Sequence, residues 1–224
     1  ITHRKNVYGS SYYINDGLYQ DYESILNSPR RLSSTELKKG DLAYKDINGD
    51  GKIDSDDQVK LGKPFFPLFD YGFDFNLDYN GFFLYGLLQG TGKRYTELAL
   101  LYKGGNIVNS NYAFQMDSWT PENLSASYPR SSALQSTNSG NNTINSDFWL
   151  INAQYFRLKS LQFGYDFKKI LFKNNPGISK FKLSLLGTNL FTISEAMDFF
   201  DPEAYNYGEG YPVQKTYSIV LNIG

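Results

Sequence analysis

From Phe69 to Tyr79, apolar and polar residues alternate almost without fault. Phe69, Tyr71, Phe73, Phe75, Leu77 and Tyr79 fall on one side; Asp70, Gly72, Asp74, Asn76 and Asp78 fall on the other. A period of two predicts a strand with one apolar and one wet face. About eleven residues at ~3.3 Å each reach about 36 Å, far longer than the five or six residues of an ordinary globular strand. Asn80-Gly81 follows, a pair suited to the positive φ angles of a two-residue type I′ turn. The return strand is expected over Phe82–Gln89. A third strand is expected over Tyr155–Phe167, where parity changes midway: Phe156 and Leu158 share one face, then Leu161, Phe163, Tyr165 and Phe167. A β-bulge near Lys159-Ser160 explains the switch. Asn174-Asn175-Pro176-Gly177 makes the next turn. A fourth strand over Phe181–Asn189 and a last over Thr216–Ile223 carry Phe181, Leu183 and Leu185, then Tyr217, Ile219, Leu221 and Ile223, on their apolar faces. Asp74, Asp78 and Asp166 lie on wet faces and read as a solvated wall, not as an acid/base pair.

Between these strands the chain is polar and irregular. Residues 1–40 hold one short helical turn near Gly17–Ile25, ended by Asn27-Ser28-Pro29 because the residue before proline leaves the α region. Residues 90–147 read as one long loop rich in Asn, Ser, Thr and Gly, and another runs through Asp201-Pro202-Glu203 and Tyr211-Pro212. No internal repeat of fixed period appears beyond the hairpins.

Composition narrows the chemistry. The 224 residues suffice for one large β domain or two small ones. A net charge of −1 offers no basic surface for nucleic acid. Cysteine is absent and His3 is the single histidine, so thiolate chemistry is excluded and a histidine triad or zinc site disfavoured. Nineteen Tyr and 17 Phe suit surfaces that meet an apolar and a wet phase. Mean hydropathy is −0.45, too polar for helical membrane spans but expected of barrel strands, whose alternate residues face water. Ile1 without Met or a targeting segment reads as the interior of a longer protein.

Residues 46–57 read Asp-Ile-Asn-Gly-Asp-Gly-Lys-Ile-Asp-Ser-Asp-Asp, the pattern of an EF-hand or dockerin-like calcium loop. Asp46, Asn48 and Asp50 hold positions 1, 3 and 5, and Gly51 the sharp turn at 6. Lys52 offers its carbonyl at 7, Asp54 a water-mediated contact at 9 and Asp57 a carboxylate at 12. A structural Ca²⁺ is the expected cofactor, because that cation takes six to eight oxygens. Asp at position 12 is shorter than the usual Glu, and the flanks carry no helix pair. A plain Asp/Asn/Gly-rich turn is the competing reading.

Several phrases then resemble SusC/RagA-like TonB-dependent outer-membrane transporters. They are Gly40-Asp41-Leu42-Ala43-Tyr44-Lys45-Asp46-Ile47-Asn48-Gly49-Asp50-Gly51, Tyr71-Gly72-Phe73-Asp74-Phe75 and Gln89-Gly90. Trp119-Thr120-Pro121-Glu122-Asn123 with Tyr128-Pro129-Arg130 follows, then Phe156-Arg157-Leu158-Lys159 with Phe163-Gly164-Tyr165, and Asn189-Leu190-Phe191-Thr192. Thr216-Tyr217-Ser218-Ile219-Val220-Leu221-Asn222-Ile223 resembles the family's final strand. The resemblance implies an all-β chain: the C-terminal, antiparallel part of a transmembrane barrel of roughly 22 strands with long extracellular loops. It further implies a Gram-negative outer membrane of Bacteroidetes type and import of glycans or peptides. A SusD-like surface lipoprotein would be the partner, and TonB would supply energy through an N-terminal part not in this sequence. The family ends in an aromatic residue; this sequence stops at Gly224, which suggests further residues beyond it.

The expected division is an extracellular loop region over 1–68, carrying the calcium loop, and barrel strands and loops over 69–224. The rival is a secreted, soluble β-sandwich carbohydrate-binding module with a structural calcium loop. Trp119 and Trp149 are expected to pack in loops or a girdle more than to stack on sugars. Arg130 and Arg157 are candidates to hold loop carboxylates. No constellation of nucleophile, base and oxyanion donor appears, so no enzyme and no catalytic residue is expected. Substrate-binding residues are not legible.

Overall fold

The computed structural model describes residues 11–31, 36–98, 113–131, 140–203, 211 and 213–224. His3 and Pro212 lie outside them, as do parts of the two long loops. In chain order the elements are β1 (Asn15–Leu18), α1 (Tyr22–Leu26), β2 (Arg30–Arg31), β3 (Leu42–Tyr44), β4 (Lys52–Ile53), β5 (Asp70–Tyr79) and β6 (Phe82–Thr91). Then come β7 (Tyr95–Glu97), β8 (Leu150–Asn152), β9 (Tyr155–Asp166), α2 (Lys168–Leu171), β10 (Phe181–Ile193) and β11 (Thr216–Ile223). The chain divides into two compact units: residues 1–66 with 95–151, and residues 67–94 with 152–224.

The second unit is a five-stranded antiparallel sheet in the order β11-β10-β9-β6-β5. The five expected strands are therefore neighbours in one sheet. Asn80 and Gly81 sit at φ 50° and 91°, as the tight turn requires. Tyr79 pairs with Phe82 on one side of that turn, and Phe82 with Tyr165, so the β5–β6 turn and the 167–180 connection lie at the same end of the sheet. The long connections, 92–154 and 194–215, leave from the other end.

Register makes the two faces continuous. Phe73 pairs with Leu88, Leu88 with Leu158, and Leu158 with Phe191. Nearer the turn end, Leu77 pairs with Leu84, Leu84 with Phe163, Phe163 with Leu185, and Leu185 with Ile219. This face is apolar across all five strands, yet it is not buried: Phe73 is 61% exposed, Leu185 62% and Ile219 76%. Where it lacks a side chain, an aromatic covers the gap: the Phe75 ring lies over Gly86 and the Tyr71 ring over Gly90, each too close for any Cβ. The opposite face carries the polar residues Asp70, Asp74, Asn76, Asp78, Gln89, Arg157, Ser160, Gln162, Lys182, Ser184 and Asn222, with Phe83, Tyr85, Leu87, Leu186 and Val220 set among them. A sandwich would bury its apolar face against a second sheet. Here that face is open, and every other described sheet has two strands.

The bulge falls where parity changes. Leu87 pairs with Ser160 and Leu88 with Leu158, which leaves Lys159 unmatched on β9. On β10 the same region holds two unmatched residues, Asn189 and Leu190, with Asn189 at φ 51°. Pairing then resumes from Phe191 to Ile193, so β10 runs four residues past the expected end at Asn189. The left-handed Asn189 interrupts the alternation without ending the ladder. β6 likewise extends to Thr91 through pairs with Asp70 and Tyr71, and β9 stops at Asp166 because Phe167 caps α2.

The first unit is built differently. Leu42, Tyr44, Ile53, Leu98, Trp119, Trp149, Leu150 and Ile151 are buried, and they come from both halves of the unit. What read as two loops co-folds around a buried core. α1 is a single short turn with a capping box, in which Asp21 accepts from the Ser24 backbone N–H at 2.7 Å.

Candidate functional site

Three places carry concentrated polar chemistry. The first joins the two halves of the first unit. Asp41 is fully buried and accepts from the Lys38 N–H at 2.8 Å, Asn142 Nδ2 at 3.0 Å and Arg130 Nε at 2.7 Å. Asn142 Oδ1 accepts from the Leu42 N–H at 2.8 Å, and Trp149 Nε1 donates to the Asn142 carbonyl at 2.7 Å. Asn141 Nδ2 donates to the Leu42 carbonyl, and the Tyr44 hydroxyl donates to the Asn141 carbonyl at 2.7 Å. Gly40 holds φ +81°, and a Cβ at this position would run into the Trp119 ring, so no side chain would fit. Gly40-Asp41 and Trp119…Arg130, singled out as separate phrases, thus touch each other. Trp119 and Trp149 pack, as expected; the role of Asn141 and Asn142 was missed, because an Asn-rich stretch reads as solvated loop.

The second place is the Asp46–Asp57 loop. Asp46 accepts from the Gly49 N–H at 2.6 Å and the Gly51 N–H at 2.7 Å, which curls the backbone about its carboxylate. Asn48 accepts from Asp50, Asp50 from Lys52 and Asp54 from Asp56, each at 2.9 Å. Lys52 lies in β4 beside Arg30 of β2. Asp57 is buried and accepts from the N–H groups of Ile47 and Asp54 at 2.8 Å. Burial pushes its carboxyl upward, but hydrogen bonds from the backbones of Asp54, Ile47 and Asn48, with a contribution from the Asp46 side chain, hold it below the ordinary value of 3.8. The donor set is all oxygen and suits a hard cation. The loop oxygens are engaged by backbone N–H groups, however, and among the described residues no group of three or more His, Cys, Asp or Glu side chains is gathered to hold a metal.

The third place is on the polar face of the sheet, at the long-loop end of β9. Arg157 is fully buried; its Nη2 meets Asp201 Oδ1 at 2.7 Å and its Nη1 meets Glu203 Oε2. Lys159 Nζ reaches both Glu203 oxygens, at 3.1 and 2.9 Å, and the Tyr155 hydroxyl donates to Glu203 Oε1 at 3.1 Å. Arg94 Nη2 donates to the Pro202 carbonyl at 3.1 Å. The Asp201-Pro202-Glu203 loop is thereby fastened to the wet face, and Arg157 holds loop carboxylates as Arg130 does. A cleft of about 670 Å³ at this end is lined by Phe69, Tyr71, Phe156 and Ile193 from the apolar face together with Lys93, Glu195 and Tyr155 of the cluster.

No family model matches the chain. Two curated proteins of Formosa agariphila do. TonB-dependent receptor P26 is 28% identical over 201 residues, covering 82% of this chain and 19% of the relative; TonB-dependent receptor P39 is 25% identical over 211 residues, covering 86% and 20%. The resemblance to SusC/RagA-like TonB-dependent transporters is borne out. The chain spans about one fifth of the length of these relatives. Among solved structures, the RagAB peptide importer in its "open-open" state matches with a TM-score of 0.64 at 16% identity, covering 93% of this chain and 21% of the other. Its "closed-closed" state gives 0.62 at 18% identity, covering 93% and 22%. These likenesses show the fold: an all-β, antiparallel segment of a barrel wall. TonB-dependent receptors are outer-membrane proteins, and the open apolar face agrees with that location. Among the described residues no helix is long and apolar enough to cross a membrane, which says nothing of strands. The matched proteins are receptors and importers rather than enzymes.

Proposed function

We propose that this chain is the C-terminal barrel portion of a TonB-dependent, SusC-like importer of glycans or peptides in a Gram-negative outer membrane. The observation that carries the reading is the pair of faces on one sheet. Ten residues of β5 at ~3.4 Å, tilted near 45°, cover about 24 Å of membrane normal, the height of a barrel's apolar band. The apolar face meets outer-membrane lipid and the polar face lines the passage. Open sheet edges are not tolerated in lipid, so β5 and β11 pair with strands from elsewhere in the full protein. Energy comes from TonB through the N-terminal part, and a SusD-like surface lipoprotein closes the outside. The peptide named for the RagAB importer makes peptide the first substrate to try, oligosaccharide the second. The chain performs no catalysis on this reading.

The test uses the full-length protein. It should fractionate with the outer membrane, run as a heat-modifiable band in detergent, and take up labelled oligopeptide or oligosaccharide only when TonB is present. A protein that stays in the soluble fraction without detergent would overturn the reading in favour of the secreted module.

The Asp46–Asp57 loop holds one structural Ca²⁺ on this proposal, through Asp46, Asn48, Asp50, the Lys52 carbonyl, Asp54 and Asp57. Its support is the spacing and the all-oxygen donor set. Binding would exchange some backbone hydrogen bonds for metal contacts and stiffen the rim of the extracellular unit, helping to seat the lipoprotein lid. If loop variants leave lid affinity unchanged, the loop's role is purely local.

A further inference from the structure

We propose that Tyr155, Arg157 and Lys159 form a carboxylate-recognition site on the inner wall. Its present occupant is the chain's own Glu203, and it exchanges Glu203 for a carboxylate of an anionic substrate. The inference rests on the importer reading, since it needs the polar face to line the passage.

The site is built from successive wet-face positions of one strand. Residues 155 and 157 share the wet face by the period of two, Lys159 is the unmatched residue of the bulge, and its Nζ turns to the same side, which Ser160 also shares. All three side chains converge on Glu203. Oε1 receives the Tyr155 hydroxyl and Lys159 Nζ; Oε2 receives Arg157 Nη1 and Lys159 Nζ. Gln89 Nε2 supports the Tyr155 hydroxyl at 3.4 Å, and the Arg157 guanidinium stacks over the Tyr155 ring at 5.6 Å. Two cations and a phenol surround one carboxylate, the charge-assisted pairing by which proteins hold a free carboxylate.

Asp201 makes the exchange feasible. It stays on Arg157 Nη2 and is itself fastened by the N–H groups of Glu203 at 2.9 Å and Val213 at 3.3 Å. If Glu203 leaves, Arg157 is still paired, which avoids the cost of a lone buried charge. Arg157 and Lys159 against Asp201 then leave one net positive charge, matched to a single carboxylate. Access follows the same order. The Arg157 and Asp201 side chains are 0% and 5% exposed, Glu203 15% and Lys159 33%, so the site opens on the Glu203 side.

The test uses the full-length protein purified from outer membranes, with propionate as probe and propionamide as neutral control. Glu203→Ala should lower the melting temperature, and propionate but not propionamide should restore it. Propionate should bind this variant about tenfold tighter than wild type, the factor expected when a competing charge-assisted partner is removed. Lys159→Met added to Glu203→Ala should abolish the effect. If Glu203→Ala does not fold, the isosteric Glu203→Gln should show the same carboxylate preference more weakly. Equal or absent propionate binding in wild type and variants overturns the proposal. Failure of the importer reading shows separately, as loss of outer-membrane fractionation, which is scored before any probe is added.

Discussion

The two units of this chain solve the burial of apolar surface in opposite ways. In the first, Leu42, Leu98 and Trp149 are at most 2% exposed, and polar side chains such as Asp41, Asn141 and Asn142 are paired inside with them. In the second, Phe73, Leu77, Leu185 and Ile219 stand open on a sheet whose other face carries nearly all of its charged side chains. A protein in water keeps large apolar patches to a few hundred Å² unless they meet something. The first unit therefore closes its apolar surface in its own core, and the second presents an apolar wall of the kind that meets lipid. The contrast teaches that exposure has to be judged against the phase a face meets.

Truncating a large side chain in each unit gives the strongest separation. Trp149→Ala should destabilise the first unit by about 3–5 kcal/mol, because the cavity left in a packed core refills poorly. Phe73→Ala should cost under about 1 kcal/mol in detergent or lipid, since the apolar medium fills the gap, on the scale of central losses in buried cores. Hydrogen exchange read separately over 12–66 and 70–91 checks both. Comparable losses in the two units would erase the distinction between core and lipid-facing wall.

Polarity sharpens it next. Phe73→Arg should destabilise the folded barrel by about 2–4 kcal/mol if the site lies near the bilayer midplane, whereas Asp74→Arg, one residue on but on the opposite face, should cost far less. Refolding into lipid vesicles with urea titration measures both. Equal tolerance would contradict the face assignment that register gives β5.

The sheet was largely legible in the sequence because its information is local. Period two, the Asn80-Gly81 turn and the parity switch at Lys159 each lie within a few residues, and register follows from them. The fourth strand came out short because a left-handed Asn189 breaks alternation while the ladder continues. The first unit was not legible as a unit. Its core comes from residues such as Leu42, Trp119 and Trp149 with no period, and its pairings, Asp41 to Arg130 and Asn142 to Leu42, span long stretches of polar chain. The phrase resemblance identified the right residues there without showing that they meet. At the candidate sites, the spacing of Asp46–Asp57 could be read but not the backbone N–H groups that engage its oxygens. Arg157 is legible as a holder of loop carboxylates, but the convergence of Tyr155 and Lys159 on Glu203 depends on a loop return that no local pattern encodes.

Metal dependence separates the units a third way. Replacing both Asp46 and Asp50 by Ala removes two anionic ligands, so calcium-dependent protection of the 46–57 loop from proteolysis should vanish while the barrel's heat-modifiability stays unchanged. If chelator leaves the wild-type loop as protected as calcium does, the metal proposal fails and the hydrogen-bonded turn stands alone.

The smallest expected effect is a pH dependence confined to the first unit. Asp57 is buried at the close of the 46–57 loop, and N–H groups from Asp54, Ile47 and Asn48 favour its charged form enough to outweigh burial. Its folded value lies below the ordinary 3.8, so the folded state binds this proton less readily than the unfolded one. The stabilisation is present in full above the ordinary value and is lost as pH falls through the folded one. In calcium-free buffer, local opening of the loop by hydrogen exchange should therefore be flat from neutral pH down to about the usual aspartate range near 3.9 and rise below it. Asp57→Asn keeps the shape and removes the titration, so its profile should lose that acid step and start from a less stable loop at neutral pH. The sheet should show no matching step, because Asp57 belongs to the other unit. An acid step of equal size in wild type and Asp57→Asn would assign the titration to another group and leave Asp57 as a neutral turn-former.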